Sequence, residues 1–288
     1  MWQMLPLRDG YVCASVPHHI TAAFMPVWGK SPRSTGSIGV GIAVEPRLEL
    51  CYNLGLSGSV TGTAAKLLKI NGVEPGSVRA SNPLPWGFGY ATSGASGVAA
   101  AHITSYLKGR KLLALLEQAH EIELQDKTGL GDVLAISCGI GLVMRTKPGP
   151  PGIGAVDCIY MPRSVSVITV EAGSMSTEQL LSSLNEGFYK ESAELLRRLS
   201  EDFSLSVFIE SVKGLNDKLR LPASVVGDEG YERIKGTPGL LSYYVKKRLV
   251  VLLVESDRIA DAVEHLRAKL PGYTIRELSP STAGPYII

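Results

Sequence analysis

Residues 85–107 read PWGFGYATSGASGVAAAHITSYL, and this stretch limits the fold more than any other. A proline opens it, glycines stand at 87, 89, 94 and 97, and Thr92 and Ser93 lie between the glycine pairs. An alanine-rich run with helical spacing follows through Val98, Ala101, His102 and Ser105, and Gly109 stops it. The order predicts a glycine-rich turn feeding a helix N-terminus. Free backbone N–H groups in the first turn and the positive end of the helix dipole make such a place attractive to anions. Glycines let the backbone approach a bulky ligand closely, and a hydroxyl at the helix start suits a phosphate oxygen or Mg2+. The same residues also fit a tight turn with small residues for packing. Two common phosphate fingerprints are absent. There is no G-x-x-x-x-G-K-[ST], and no G-x-G-x-x-G falls in a strand–turn–helix setting.

The chain has 288 residues, of which 45% are hydrophobic and 19% charged, and this is the composition of a globular protein with one large or two ordinary domains. A net charge of +2 gives no reason to expect nucleic acid or an anionic membrane surface as a partner. Cys13, Cys51, Cys138 and Cys158 are scattered without a C-x-x-C, so neither zinc nor a redox motif is indicated. They are expected to be separate buried thiols in a reducing compartment. The first twelve residues lack a signal pattern, and the longest purely apolar run, 249–254, is far short of the roughly 20 residues of a membrane span. A soluble, cytoplasmic protein is expected.

Residues 11–16 read as a strand ending at Pro17, and 18–24 as the lead into a loop. Residues 36–54 hold two β-like runs broken at Glu45-Pro46. Helices are expected near 64–70 and over 111–125, and the apolar run 133–144 reads as strands facing a core. KPGPPG at 147–152 is the strongest breaker, so the domains are set at 1–152 and 153–288. In the second half, strands are expected near 155–160 and 165–170. Ser176-Thr-Glu-Gln179 is a capping box, predicting one long helix to about residue 200. Further helices are expected near 204–214 and 256–270, and strands near 273–278 and 285–288. The segment 240–255 is open between a hairpin and a helix plus strand. The pattern is α+β.

Asp132 is the acid with the most telling setting. It ends the turn Thr128-Gly-Leu-Gly-Asp between a helix and an apolar run, where a carboxylate needs a partner or a task. Arg145 follows that run, and a guanidinium there would hold a substrate carboxylate through two parallel bonds. As bland readings, Asp132, like Glu121, Glu123 and Asp126, is a solvated surface acid, and Arg145 is a strand-end surface residue.

The stretch at 85 resembles the phosphate loop of the GHMP kinases, roughly P-x-G-x-G-L-G-S-S-A. Pro85, Gly87 and Gly89 match it, Thr92 and Ser93 take the hydroxyl positions, and Gly94 and Ala95 follow. Tyr90-Ala91 replaces Leu-Gly, and Gly94 stands where alanine is common. TGLGDV at 128–133 and the opening VPHHITAAF, with the following GSIGVG, are similar to the pantoate kinase branch of that superfamily. Pro17, His19, Ile20, Thr21 and Phe24 fit its opening, while His18 replaces a glycine.

The resemblance implies a two-domain GHMP-kinase-like architecture, with an N-terminal nucleotide-binding domain and a C-terminal α/β sandwich of ferredoxin-like type. It implies ATP and Mg2+ as cofactors and phosphorylation of the terminal hydroxyl of pantoate, on the route to coenzyme A. In its terms, Asp132 is the catalytic base, and Ser93 and Glu123 hold the metal, with Glu121 as the alternate. Pro85, Gly87, Gly89, Thr92, Ser93, Gly94 and Ala95 bind the nucleotide, and His19, Ser37, His120, Arg145 and Thr177 bind the acid. The alternatives are another GHMP kinase, for homoserine, mevalonate or shikimate, or a nucleotide-binding protein without catalysis. A small acid is the expected partner, and assembly into a homodimer stays open.

Overall fold

The computed structural model describes residues 11–53, 55, 58–81 and 84–288. Its spine is a long antiparallel pair, β1 (Val12–Val27) and β2 (Gly36–Tyr52), running in register from Val12↔Tyr52 to Val27↔Gly36. Both strands pass through the prolines expected to end them. Register shifts between Val16 and His18 and between Thr21 and Ala23 absorb the irregularity in β1, and the Glu45–Pro46 peptide in β2 is cis. A proline lacks only its own ladder donor, so a shift or bend lets the strand continue. β3 (Val78–Ser81) and β4 (Leu142–Lys147) pair with β2, and β5 (Ala155–Ile159) pairs with β4.

The helices of this half are α1 (Gly62–Ile70), α2 (Thr92–Lys108), α3 (Leu112–Gln125) and α4 (Asp132–Cys138). α2 and α4 lie against the spine, and α1 and α3 pack on α2. The apolar run at 133–144 is therefore not all strand. Its first half is α4, ended by Gly139 at φ 62°, and only its second half enters β4. A short apolar run does not by itself tell helix from buried strand, and here the glycine sets the division. α2 is small-residue rich because it is buried all round, with Ala95, Val98, Ala99, Ala100, Ala101 and Ile103 all without exposure.

The second half, which opens with β5, continues with β6 (Val165–Glu171) and then α5 (Thr177–Ser183), α6 (Glu186–Glu201), α7 (Leu205–Leu219) and α8 (Leu221–Lys235). The capping box at Ser176 forms as expected, but the single long helix does not. It breaks at Leu184, and the Asn185 side chain caps a new helix by accepting from Phe188 N. The open segment 240–255 is a hairpin, β7 (Leu240–Lys246) and β8 (Leu249–Glu255), and α8 fills sequence that carried no expectation. α9 (Ile259–Lys269), β9 (Thr274–Pro280) and β10 (Tyr286–Ile287) close the chain. The strand order is β10-β1-β2-β9-β6-β8-β7, with β9 joining β6 to β2 and β10 returning to β1.

β8 explains why its sequence was ambiguous. Leu249, Val251 and Leu253 face one core, against β1, β2, α6 and α7, while Val250, Leu252 and Val254 face another, against α8 and α9. A strand buried on both faces loses its alternation. Each such side chain contributes roughly 1.5–3 kcal/mol of burial.

The cysteines depart from expectation. Cys13 bonds to Cys51 across β1 and β2, and Cys138 at the end of α4 bonds to Cys158 on β5. Cross-strand pairing, Cys13↔Cys51, brings together residues far apart in sequence, so spacing gave no sign of it. No helix among the described residues is long and apolar enough to cross a membrane.

Candidate active site

The turn before α2 forms as the glycines require. Gly87 at φ 83° and Gly89 at φ 114° occupy backbone that favours glycine. Gly89 also needs the space, since a Cβ there would lie 3.0 Å from the Lys246 backbone oxygen. The departures from the phosphate-loop pattern have physical answers. Ala91 takes φ 55° and ψ 32°, the left-handed conformation that a glycine at that point supplies without strain. The Tyr90 hydroxyl is buried at 2.7 Å from both Thr169 Oγ1 and Glu171 Oε1, and Glu171 also accepts from Arg276 Nε. Thr92 Oγ1 donates to Leu84 O at 2.9 Å, so its side chain braces the turn. Pro85 is half-buried, and Ala95 lies wholly within the core.

Two carboxylates converge on this helix start. Glu123 on α3 is buried, and its Oε1 accepts from Ser93 Oγ at 2.5 Å and from Thr63 Oγ1. Its Oε2 has no partner among the described residues, and burial pushes its pKa up. Asp132 begins α4, where the helix dipole favours a negative charge. Burial would raise its pKa, but His19, Lys246 and Arg145 together hold it well below the usual carboxylate range. Gly129 lies between the two acids, where a Cβ would sit 2.7 Å from Glu123 Oε2 and 3.1 Å from Asp132 Oδ2. Gly94 lets α2 come close to α4, since its Cβ would be 3.1 Å from the Cβ of Asp132. Neither Glu123 nor Glu121, the alternate on the same helix, is part of the cleft lining, and it is Glu123 that meets the cleft-lining Ser93.

A cleft of about 380 Å³ opens over these groups, lined in part by Ser37, Gly87, Gly89, Ser93, Asp132 and Arg145. Arg145 on β4 is 1% exposed, and its Nε and Nη1 have no hydrogen-bond partner among the described residues. Burial lowers its pKa, against the pull of Asp132. Gly131 keeps this corner open, because a Cβ there would meet Ser37 Oγ at 2.5 Å and Arg145 Nε at 2.8 Å. Leaving a buried guanidinium unpaired is costly unless an anion completes it.

The remaining expected residues divide. Thr177, the first residue of α5, lines the cleft and donates to Thr128 O at 2.7 Å. His19 stands behind Asp132, its Nδ1 3.6 Å from Oδ1, and burial lowers its pKa to about 4, so it is neutral at pH 7. His120 is buried with Nε2 3.0 Å from Thr35 O, supporting the 35–37 segment from beneath. Neither histidine is part of the cleft lining.

Sequence reading passed over Lys246 and Lys247. Both line the cleft from the β7–β8 turn, and burial lowers the pKa of Lys246 to about 8. Two adjacent lysines in a hairpin turn look like solvated surface, and only the folding of the second half onto the first puts them over Asp132.

No protein-family model matches the chain. It is 30% identical over 188 residues to the pantoate kinase of Thermococcus kodakarensis, a match covering 58% of this chain and 62% of that protein's length. It is 26% identical over 247 residues to the pantoate kinase of Methanospirillum hungatei, covering 74% and 83%. Among solved structures, a phosphotransferase related to the CoA biosynthesis pathway superposes with a TM-score of 0.79 at 21% identity, covering 96% of this chain and 98% of that one. A homoserine kinase from Cytophaga hutchinsonii gives 0.63 at 15% identity over the whole of both chains. A mevalonate-3-kinase from Thermoplasma acidophilum gives 0.62 at 11%, covering 96% and 97%. The fold is α+β and GHMP-kinase-like.

Proposed function

We propose that this chain, related in sequence to pantoate kinases and GHMP-kinase-like in fold, transfers the γ-phosphoryl group of ATP to the terminal hydroxyl of pantoate. The observation that carries the reading is Arg145, a buried and unpaired guanidinium facing a cleft beside a carboxylate kept ionised. It is a place for one carboxylate, with Ser37 for a neighbouring hydroxyl. Phe24 and Leu180 in the cleft wall suit a gem-dimethyl group. We further propose that residues 1–152 form the ATP-binding domain and 153–288 a ferredoxin-like α/β sandwich.

The residues fit MgATP. The Gly87–Gly89 cradle, the open end of α2 and Ser93 suit a phosphate chain. Glu123 has one buried oxygen still free beside Ser93, a donor pair that suits a hard cation completed by phosphate oxygens. Bound there, Mg2+ would neutralise phosphate charge. Asp132 accepts a hydrogen bond from the acceptor hydroxyl and takes its proton late, as the new P–O bond forms and the bond to ADP breaks. Arg145 fixes the acid so that the hydroxyl points at Asp132, and most of the rate comes from positioning and charge.

ADP release measured across pantoate, homoserine, mevalonate and shikimate tests this reading. Pantoate is expected to be the substrate turned over efficiently. Efficient turnover of homoserine or mevalonate with pantoate inert would overturn the substrate assignment.

A further inference from the structure

Three cations surround Asp132: Arg145, Lys246 and Lys247. None of them forms an ion pair among the described residues. Arg145 on its own answers the substrate carboxylate, which leaves two lysines and one positive excess toward the nucleotide side.

Their placement is specific. Lys246 and Leu249 are the last pair of the β7–β8 ladder, so Lys247 and Arg248 form a two-residue turn. Such hairpins favour glycine where φ is positive. Here Lys247 holds φ 58°, a conformation that costs a side chain roughly 1–2 kcal/mol. Lys246 presses its backbone against Gly89 of the phosphate loop and stacks its Nζ 4.5 Å from the Phe24 ring centroid. It therefore spans from the loop to the corner where Asp132 and Arg145 meet. Lys247 is within electrostatic reach of both Asp132 and Glu123, on the metal side.

We propose that Lys246 is a catalytic residue that contacts the transferring phosphoryl group, with Lys247 beside it holding the nucleotide's terminal phosphates, so that the second half of the chain completes the phosphate site. The inference rests on the kinase reading above. In the step, the acceptor oxygen bonds to phosphorus, the electron pair of the broken bond leaves on ADP and the hydroxyl proton goes to Asp132. Lys246 stays protonated and balances charge on the equatorial oxygens.

Lys246→Met keeps the stem on Phe24 and removes the charge. With pantoate and ATP, kcat should fall about 10²–10³-fold, as for loss of one preorganised donor. The KM for pantoate and the affinity for MgADP, read by thermal shift, should stay within about fivefold. Lys246→Arg should recover most of the rate. Lys247→Gly, which suits the turn, should raise the KM for ATP and leave MgADP binding closer to normal. In the wild type the groups facing Lys246 are Asp132, His19, Arg145 and Lys247. Protonation is required, so kcat/KM, which reports the free enzyme, should decline as pH rises through about 8, and Lys246→Arg should remove that limb. A folded Lys246→Met enzyme within about threefold of wild-type kcat overturns this inference alone. A loss of rate that merely tracks a loss of MgADP binding also overturns it. If the wild type transfers phosphate to a different acid, the variants are scored on that acid and only the substrate assignment falls. Absence of transfer to any acid overturns both.

Discussion

Asp132 begins a helix, faces three cations that form no ion pair among the described residues and has a neutral histidine behind it. Its replacement by Asn keeps the shape and removes the proton acceptor. Turnover should fall about 10²–10⁴-fold, the usual worth of such a group, while ATP still binds; near-normal turnover in the folded variant would assign the base elsewhere. The histidine gives a second expectation. The folded pKa of His19 is about 4 against 6.5 for a free side chain, so between those values the unfolded chain binds a proton that the folded chain refuses. Stability is therefore present above about pH 6.5 and is lost as pH falls toward 4, by about 2 kcal/mol between pH 7 and pH 5 from His19. His120 and His102 are lowered by burial as well and act in the same direction. Glu123, raised by burial, acts in the opposite direction, so the share of His19 is read by urea unfolding at the two pH values in the wild type and in His19→Gln. An unchanged pH dependence in the folded variant would contradict the buried neutral histidine.

Among the elements, α2 was the most legible, because its glycines, its hydroxyls and its stop at Gly109 act locally. Its packing was not. Gly97 faces α1, where a Cβ would come 2.7 Å from Thr63 Cγ2. Gly97→Ala gains about 1 kcal/mol of helix propensity, but overpacking costs about 1–3 kcal/mol. The variant should be destabilised in equilibrium unfolding; a more stable protein would show that α1 and α2 have room. Asp132, Glu123 and Arg145 were readable as candidates because each sits beside a turn or at the end of an apolar run. What joins them is long-range. The lysines of the β7–β8 turn meet Asp132 across more than a hundred residues of sequence, which no local pattern reports. His19 and His120 lie near the site with contacts to Asp132 and Thr35, and neither is part of the cleft lining. α4 was hidden because a seven-residue helix and a strand joined through Gly139 present one unbroken apolar run.

For the molecule as a whole, the β2–β9 pairing joins the strands of both halves into one sheet, and the cleft draws on both halves of the chain. Met175 N donates to Gly87 O, and Thr177 reaches Thr128 O, so the second half fastens both the phosphate loop and the Asp132 turn. This arrangement holds Arg145 buried, with Nε and Nη1 lacking a hydrogen-bond partner and the guanidinium lacking an ion pair among the described residues, which burdens folding and is explained by binding an acid. Burying a charge without a partner costs stability, and an apolar residue in its place relieves that cost. The measurement that bears on the account most directly is therefore made on Arg145→Met: its melting temperature, together with its KM for pantoate and for ATP. A hydrogen bond to a charged group contributes roughly 1.5–3 kcal/mol. The account predicts a melting temperature no lower than the wild type's, a KM for pantoate raised about 10- to 150-fold, and a KM for ATP nearly unchanged. An unchanged KM for pantoate in the folded variant would contradict it.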